Sequence, residues 1–452
     1  MKKILIVLIG SQSLNNLLNY NNITSLNKNF DCDFLVDKSL NKNKTLIKYK
    51  KIINIKYIDI SKIANKEISF LEKLLINLFY LKFYKISFAF KKNIFGKNPK
   101  KILFLPFLIF SLPFYKFFSK LSLKLRVEDT NLLKIFNQKK YDNCLIMTGG
   151  FGNFVLSLIN ILNNRKINFS IMYAGMDNIY TKVPMFHQPN KIFVWGRHMQ
   201  NFANKIYNGE NIIIGVAQYQ NYFQFLSNPN RKNLINKHRI EINKLHNLNH
   251  NKKIILYAGP VHPYDETSDL DIISETLDKY NLNSKYQILF RPHPHRKFIK
   301  GSNFYNKKYK NIFIDSTVIS NYKKSLTKSN SYLDKMTDPY YFVKLLTNID
   351  LIISPLSTMV MEAAIFDKPC VVIGYGGLKN KYLKEALKWD HFGAIQNKKW
   401  FSIASNKEEL SKFMINQLKT KYKKSFISKD TLNIVDKKTL TFDKELIYHL
   451  KK

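Results

Sequence analysis

Residues 349–375, IDLIISPLSTMVMEAAIFDKPCVVIGY, carry the pattern from which the fold follows. The run from Ile349 to Ile353 is nearly all apolar, as a strand buried on both faces must be, and Pro355 stops its ladder because proline has no N–H to donate. Ser357 and Thr358 stand where a helix begins, TMVMEAAIF supplies that helix, and CVVIGY returns as a second buried strand. Strand, helix and strand in so short a span form a parallel βαβ unit.

Upstream of it, IILYA (254–258), YQILF (286–290) and NIFI (311–314) read as strands, and LDIISETLDKY (270–280) and YYFVKLLTN (340–348) as helices. This alternation predicts a parallel sheet wrapped by helices, with ligands at the carboxyl ends of the strands. The first half repeats the theme. A strand over 143–148 runs into Gly149, Gly150 and Gly152 and then a helix; NFSIMYAG, NKIFVWG and NIIIGVAQY follow as short apolar runs leading into glycine. The glycine cluster suits either a phosphate or a tight turn. The opening MKKILIVLIG reads as a first buried strand, because its apolar run is short for a secretory leader and polar SQSLNN follows. Residues 11–100, rich in Asn and Lys, give little to place. The polar, charged stretch 227–251 marks the domain boundary.

The chain of 452 residues is 45% hydrophobic, enough for two cores and too much for wholesale disorder. Its formal charge of +41 comes from 73 Lys and Arg against 32 Asp and Glu. The lysines are dispersed among Asn and Ile from end to end, so the excess reads as a bias of the whole chain, and nucleic acid is not expected as a partner. Cys32, Cys144 and Cys370 lie far apart, which encodes neither a disulfide framework nor a zinc site and suits a reducing, cytoplasmic compartment.

Residues 101–118, KILFLPFLIFSLPFYKFF, approach the length of a membrane span, yet Pro106, Pro113 and Lys116 interrupt the ~20 apolar residues a span requires. Two readings stay open. Flanked by KKNIFGKNPKK, Lys120 and Lys124, the segment could sink aromatic side chains into the inner face of an anionic membrane; otherwise it is a core helix pair broken at the prolines.

The chemistry gathers after the strand YQILF, in RPHPHR (291–296). Extended backbone would put Arg291, His293 and His295 on one face, with prolines fixing the angles between them, which predicts an anion clamp. A structural turn is the plainer alternative, and a metal site would need a third ligand that only His262 or Asp265 could offer. The second half of the clamp would be Ser354, Ser357 and Thr358, where hydroxyls meet the free N–H groups of a helix start. Glu362 shares a helix face with Thr358 and could accept hydrogen bonds from ribose. Ser357 as an ordinary cap and Glu362 as a solvated residue are the bland counterparts.

RPHP followed by DPYYFVKLLTNIDLIISPLSTMVMEAAIFDKPCVVIGY resembles the donor-binding lobe of GT-B glycosyltransferases that build bacterial surface polysaccharides, capsule and lipopolysaccharide among them. These residues are similar to the HP and serine motifs of the sialyl- and Kdo-transferases and of the teichoic-acid glycerophosphotransferases. AGMDNIYTK, NKIFVWGRHM and IIIGVAQYQNY look like the order found in the first lobe of such proteins. The resemblance implies an α/β fold of two Rossmann-like lobes with parallel sheets and an interlobe cleft: an acceptor-side lobe over 1–245 and a nucleotide-sugar donor lobe over 246–452. It implies a donor site of Gly259, Arg291, His293, Ser354, Ser357, Thr358 and Glu362, with His293 on the donor phosphate and Glu362 on the ribose. The acidic-acidic-glycine motif of sialyltransferases is missing, so the base is sought elsewhere: Asp177 in AGMDN, with His187 and Glu128 as rivals.

The expectation is therefore a cytoplasmic, peripheral glycosyltransferase moving sugar from a nucleotide donor to a glycan or lipid-linked acceptor. It needs no metal and no cofactor beyond the nucleotide-sugar substrate. Three alternatives stand beside it: a CDP-polyol-dependent glycerophosphotransferase, a sugar-nucleotide 2-epimerase, and a basic protein without catalysis.

Overall fold

The structure, a computed structural model, describes residues 1–64, 68–96, 103–150, 152–182, 185–260, 266–293, 309–318, 339–375, 388–393, 395, 400–420 and 433–452. It divides into two compact units. Unit 1 comprises Met1–Gln220, Trp389–His391 and Asn433–Lys452, and unit 2 comprises Asn221–Lys388 and Phe392–Leu432.

Unit 1 is built on seven parallel strands: β1 (Lys3–Leu8), β2 (Asp31–Asp37), β3 (Asn54–Ile58), β4 (Asn143–Thr148), β5 (Asn168–Tyr173), β6 (Lys191–Val194) and β7 (Glu210–Ile213), in the order β3-β2-β1-β4-β5-β6-β7. The opening MKKILIVLIG is thus the central strand. Ile6 pairs with Phe34 on one side and Leu145 on the other, and residues 4–8 are buried, which is why the run carries no polar alternation. Gly10 follows it with φ +82°, a left-handed conformation that a side chain would oppose, and opens the helix Gly10–Leu17.

Unit 2 has six parallel strands: β8 (Lys253–Ala258), β9 (Tyr286–Arg291), β10 (Ile312–Ile314), β11 (Ile349–Pro355), β12 (Cys370–Ile373) and β13 (Phe401–Ala404), in the order β10-β9-β8-β11-β12-β13. Leu256 of β8 pairs with Leu289 of β9 and with Ile352 of β11, so strand order reverses at β8 and opens a crevice beside it. The helix Thr267–Lys279 covers Tyr257, Ile288 and Ile353 from one face through Leu270, Ile273 and Leu277.

The two units differ from the sequence division in two places. The charged stretch around 231–246 is a helix of unit 2 that packs on the helix Pro339–Asn348, with Arg239 donating to Asn348 O. The segment Asn433–Lys452 belongs to unit 1, where Phe442, Leu446 and Leu450 join the core that contains Ile4, Ile6 and Phe34.

Residues 105–125 form two short helices, Leu105–Ser111 and Tyr115–Leu125, joined by a 3₁₀ turn at Leu112–Phe114. Pro106 sits in the first turn of its helix and Pro113 in the 3₁₀ turn, where a missing N–H costs least. The break at the prolines matches the core-pair reading, but the burial does not: most of the aromatic side chains point outward. Among the described residues, no helix is long and apolar enough to cross a membrane.

Candidate functional site

In unit 2 the carboxyl ends of β8, β9 and β11 lie side by side. Gly259 follows β8, and its N–H donates to Arg291 O at 2.9 Å. A Cβ added there would fall 2.7 Å from Glu266 Oε1 and 3.5 Å from both His293 N and Pro292 Cα. A side chain at 259 would therefore have to displace the buried Glu266 carboxylate, while the HP loop lies at ordinary contact distance.

On the other flank, Ser354 Oγ lies 2.8 Å from Ala258 O, 2.7 Å from Pro355 O and 3.1 Å from Ser357 Oγ. Ser354 is fully buried, so its hydroxyl stitches β11 to the end of β8. Ser357 takes the N-cap position of the helix Thr358–Ile365, yet its side chain makes no capping bond to that helix. The helix start follows the end of β11 after two residues and carries the positive end of the helix dipole. Gly259, His293, Ser354, Ser357 and Thr358 thus gather at the reversal of strand order, with Ser357 half-buried and Thr358 exposed.

Two residues expected in the clamp are placed otherwise. Arg291 ends β9 with its side chain buried, ion-paired to Asp315 and 3.1 Å from Thr317 Oγ1, with its guanidinium carbon 5.4 and 4.9 Å from the ring centroids of Tyr341 and Phe342. A guanidinium so committed stabilises the interior of unit 2, so Arg291 departs from the anion-binding role that extended geometry predicted. Glu362 does follow Thr358 by one turn, but it is buried and Tyr222 Oη donates to its Oε2 at 2.7 Å. That bond engages Oε2 inside the unit, so the carboxylate is not a solvated helix residue.

Sequence reasoning missed the polar core that surrounds Arg291. Tyr341 Oη donates to Asp315 Oδ2 at 2.6 Å, and His246 Nε2 meets Tyr341 Oη at 3.0 Å. Burial alone would raise the Asp315 pKa, but the Arg291 charge, His246 and hydrogen bonds from Thr317 and Tyr341 outweigh it and hold the carboxyl below its usual range. Burial lowers the His246 pKa against the pull of Asp315. The signal was present in NIFIDST, an aspartate placed immediately after an apolar strand. Glu266 was also missed; it stands at the N-cap position of the helix Thr267–Lys279.

In unit 1, Asp177 follows β5 and stands at the N-cap position of the short helix Asn178–Thr181, without a side-chain capping bond. Thr181 Oγ1 lies 3.4 Å from its Oδ2, and the Asn178 amide, with its nitrogen 3.2 Å from Asp177 Oδ1, accepts from Gly175 N–H at 2.8 Å. Of its rivals, Glu128 accepts from Asn164. His187 is buried between Ser119 and Ser122, and burial, helped by the Arg126 charge, pushes its pKa down to about 3. Of the glycine cluster, Gly149 and Gly150 bend after β4, with Gly150 N–H donating to Thr148 Oγ1 at 3.0 Å. Among the described residues no three His, Cys, Asp or Glu side chains gather as a metal site requires. His262, Asp265 and His295 lie outside the described residues.

Neither a family model nor a curated protein matches the chain by sequence. Solved structures do. A UDP-GlcNAc 2-epimerase of Methanocaldococcus jannaschii, crystallised with UDP-GlcNAc and UDP, is 16% identical over 99% of each chain with a TM-score of 0.51. MnaA of S. aureus, solved with UDP, is 12% identical over 100% of this chain and 96% of its own, with a TM-score of 0.50.

The fold is of the GT-B type. Two Rossmann-like units with parallel sheets of seven and six strands account for the likeness. It extends over residues 1–140, for which the sequence alone offered no relative, and it stops short of the sialyl- and Kdo-transferase grouping that the HP and serine motifs suggested.

Proposed function

We propose that this GT-B chain is an enzyme acting on a nucleotide-activated sugar, and that its reaction is epimerisation at sugar C2. One observation carries the reading. A side-chain-free Gly259, the HP loop, the Ser357 hydroxyl and a helix start converge at the strand-order reversal of unit 2, in a chain aligned over nearly its whole length with 2-epimerases solved with UDP.

A diphosphate requires hydrogen-bond donors and positive potential. The helix start supplies N–H groups and a dipole, Ser357 and Thr358 supply hydroxyls, and His293 supplies an imidazole. With Arg291 held by Asp315, these groups carry the negative charge. For epimerisation a base takes the C2 proton as the C1–O bond to the diphosphate breaks, leaving a C1=C2 double bond, and the diphosphate then adds back at C1 while an acid delivers a proton to the opposite face of C2, with no acceptor needed. Asp177 is the unit 1 carboxylate proposed for that exchange. The reading is supported by incubation with UDP-GlcNAc in deuterated water if deuterium enters C2 and the C2 epimer appears. Failure to bind any UDP-, GDP- or CMP-linked sugar would overturn it.

Glycosyl transfer is the second reading, favoured by the exposed aromatic and lysine-bearing helices of unit 1, which suit a lipid-linked acceptor. UDP-sugar binding without deuterium at C2, together with sugar incorporated into a lipid extract, would select it.

A further inference from the structure

We propose that the helices Leu105–Ser111 and Tyr115–Leu125 dock unit 1 in the plane of an anionic phospholipid bilayer. The pair is packed inside out. Phe110 is 75% exposed and Phe117 60%, and Leu103, Phe104, Phe107, Ile109 and Phe114 are exposed too, while Ser111 and Ser122 are buried. Ser122 Oγ donates to Ser119 O at 2.9 Å, and both hydroxyls reach the buried His187. A water-facing helix pair would present the serines and hide the rings. The outward rings form a continuous ladder, with Phe110 to Phe114 at 6.2 Å, Phe114 to Phe118 at 6.3 Å and Phe118 to Phe117 at 5.7 Å between centroids.

Charge names the occupant. At about 100° per residue, Lys116, Lys120 and Lys124 form one stripe along the edge of the aromatic face, away from Ser119 and Ser122. All three lysines are exposed. Residues 68–127 hold eleven lysines and Arg126 against a single acid, Glu72. That acid is buried and paired with Arg126, so it offers the surface no negative charge. Rings sunk to the acyl boundary with lysine stems reaching back to phosphates is the arrangement an interfacial helix adopts. A second copy of this chain would bring the same positive face against itself. No described helix can cross a bilayer, so the contact is in-plane.

The test uses the full chain and extruded vesicles of phosphatidylcholine, with or without roughly 30% phosphatidylglycerol. Wild type should float with the anionic vesicles and not with the neutral ones, and raised salt should weaken the binding. Phe110→Ser/Phe114→Ser/Phe117→Ser should weaken it by at least about tenfold, with thermal unfolding and UDP affinity unchanged. Lys116→Gln/Lys120→Gln/Lys124→Gln should remove the preference for anionic lipid. Independently, Phe114→Trp should give an emission that shifts to the blue on anionic vesicles. Wild type left unbound, a serine triple that binds like wild type, or an unshifted Trp emission would overturn the proposal. So would a dimer in light scattering that the serine triple dissociates, because the face would then belong to a second copy. UDP binding is read separately, so loss of docking and failure of the nucleotide-sugar reading are distinguishable.

Discussion

Tyr222 Oη lies 2.7 Å from Glu362 Oε2, which turns the first acidic residue after the serine motif into part of the interior of unit 2. Removing the donor takes a hydrogen bond from a buried carboxylate, and such bonds cost about 1–3 kcal/mol when one partner is left behind. Tyr222→Phe should therefore destabilise the protein by about 2 kcal/mol in urea. The same substitution on a Glu362→Gln background should cost measurably less, giving a coupling energy in a double-mutant cycle.

Arg291 and Asp315 form a buried ion pair with Tyr341 and Thr317 around it. Breaking such a pair from one side strands a charge without solvent. Asp315→Ala should cost about 3–5 kcal/mol of stability, whereas UDP affinity measured on protein that remains folded should change by less than about threefold, roughly 0.7 kcal/mol. A large loss of affinity with intact stability would restore Arg291 to the anion site.

Ser354 and Ser357 separate structure from binding. Ser354 is fully buried against Ala258 O, so Ser354→Ala should lower stability by about 1–2 kcal/mol. Ser357 is half-buried and its side chain makes no capping bond, so Ser357→Ala should leave unfolding nearly unchanged while weakening UDP by about tenfold. Denaturation and calorimetric titration of the two variants check both halves.

Gly259→Ala should also weaken UDP by about tenfold. Its new Cβ, 2.7 Å from Glu266 Oε1, must push that side chain out of the space beside the HP loop. Pairing the substitution with Glu266→Ala should recover part of the affinity by removing the obstacle.

Acid should weaken unit 1 through two buried histidines. Burial, with the Arg126 charge beside His187 and the His198 charge beside His391, holds each of these pKa values at about 3 in the folded state. The unfolded chain binds protons at these sites below pH ~6.5. Their contribution is therefore complete above pH ~6.5 and declines as pH falls toward 3. Between pH 7 and 5.5 the loss is roughly 1 kcal/mol for each histidine, and His187→Gln should flatten its share of the slope in urea denaturation.

The strands IDLIIS and IILYA were legible because a run buried on both faces leaves an unbroken apolar signature, and Pro355 marks its end. β3 was not, since Asn54 and Lys56 interrupt a half-exposed edge strand, and β13 offers only four residues. β2 hides between flanking aspartates. In the candidate site, Gly259 and the serines were readable from their places at strand ends. Arg291 was not, because its partner Asp315 comes from the next strand, and neither was Glu362, whose partner Tyr222 lies 140 residues earlier. Residue type and spacing describe what a side chain can do; the distant residue that occupies it decides what it does.

Phe442, Leu446 and Leu450 complete the core around β1, although they are translated long after it. At ~5–20 residues per second, the ribosome needs roughly ten to forty seconds to travel from Gln220 to Asn433. Throughout that interval the first half of the nascent polypeptide waits with an apolar groove uncovered, a natural target for holdase chaperones. Expression of residues 1–220 alone should therefore yield aggregates that a co-expressed 433–452 peptide partly rescues.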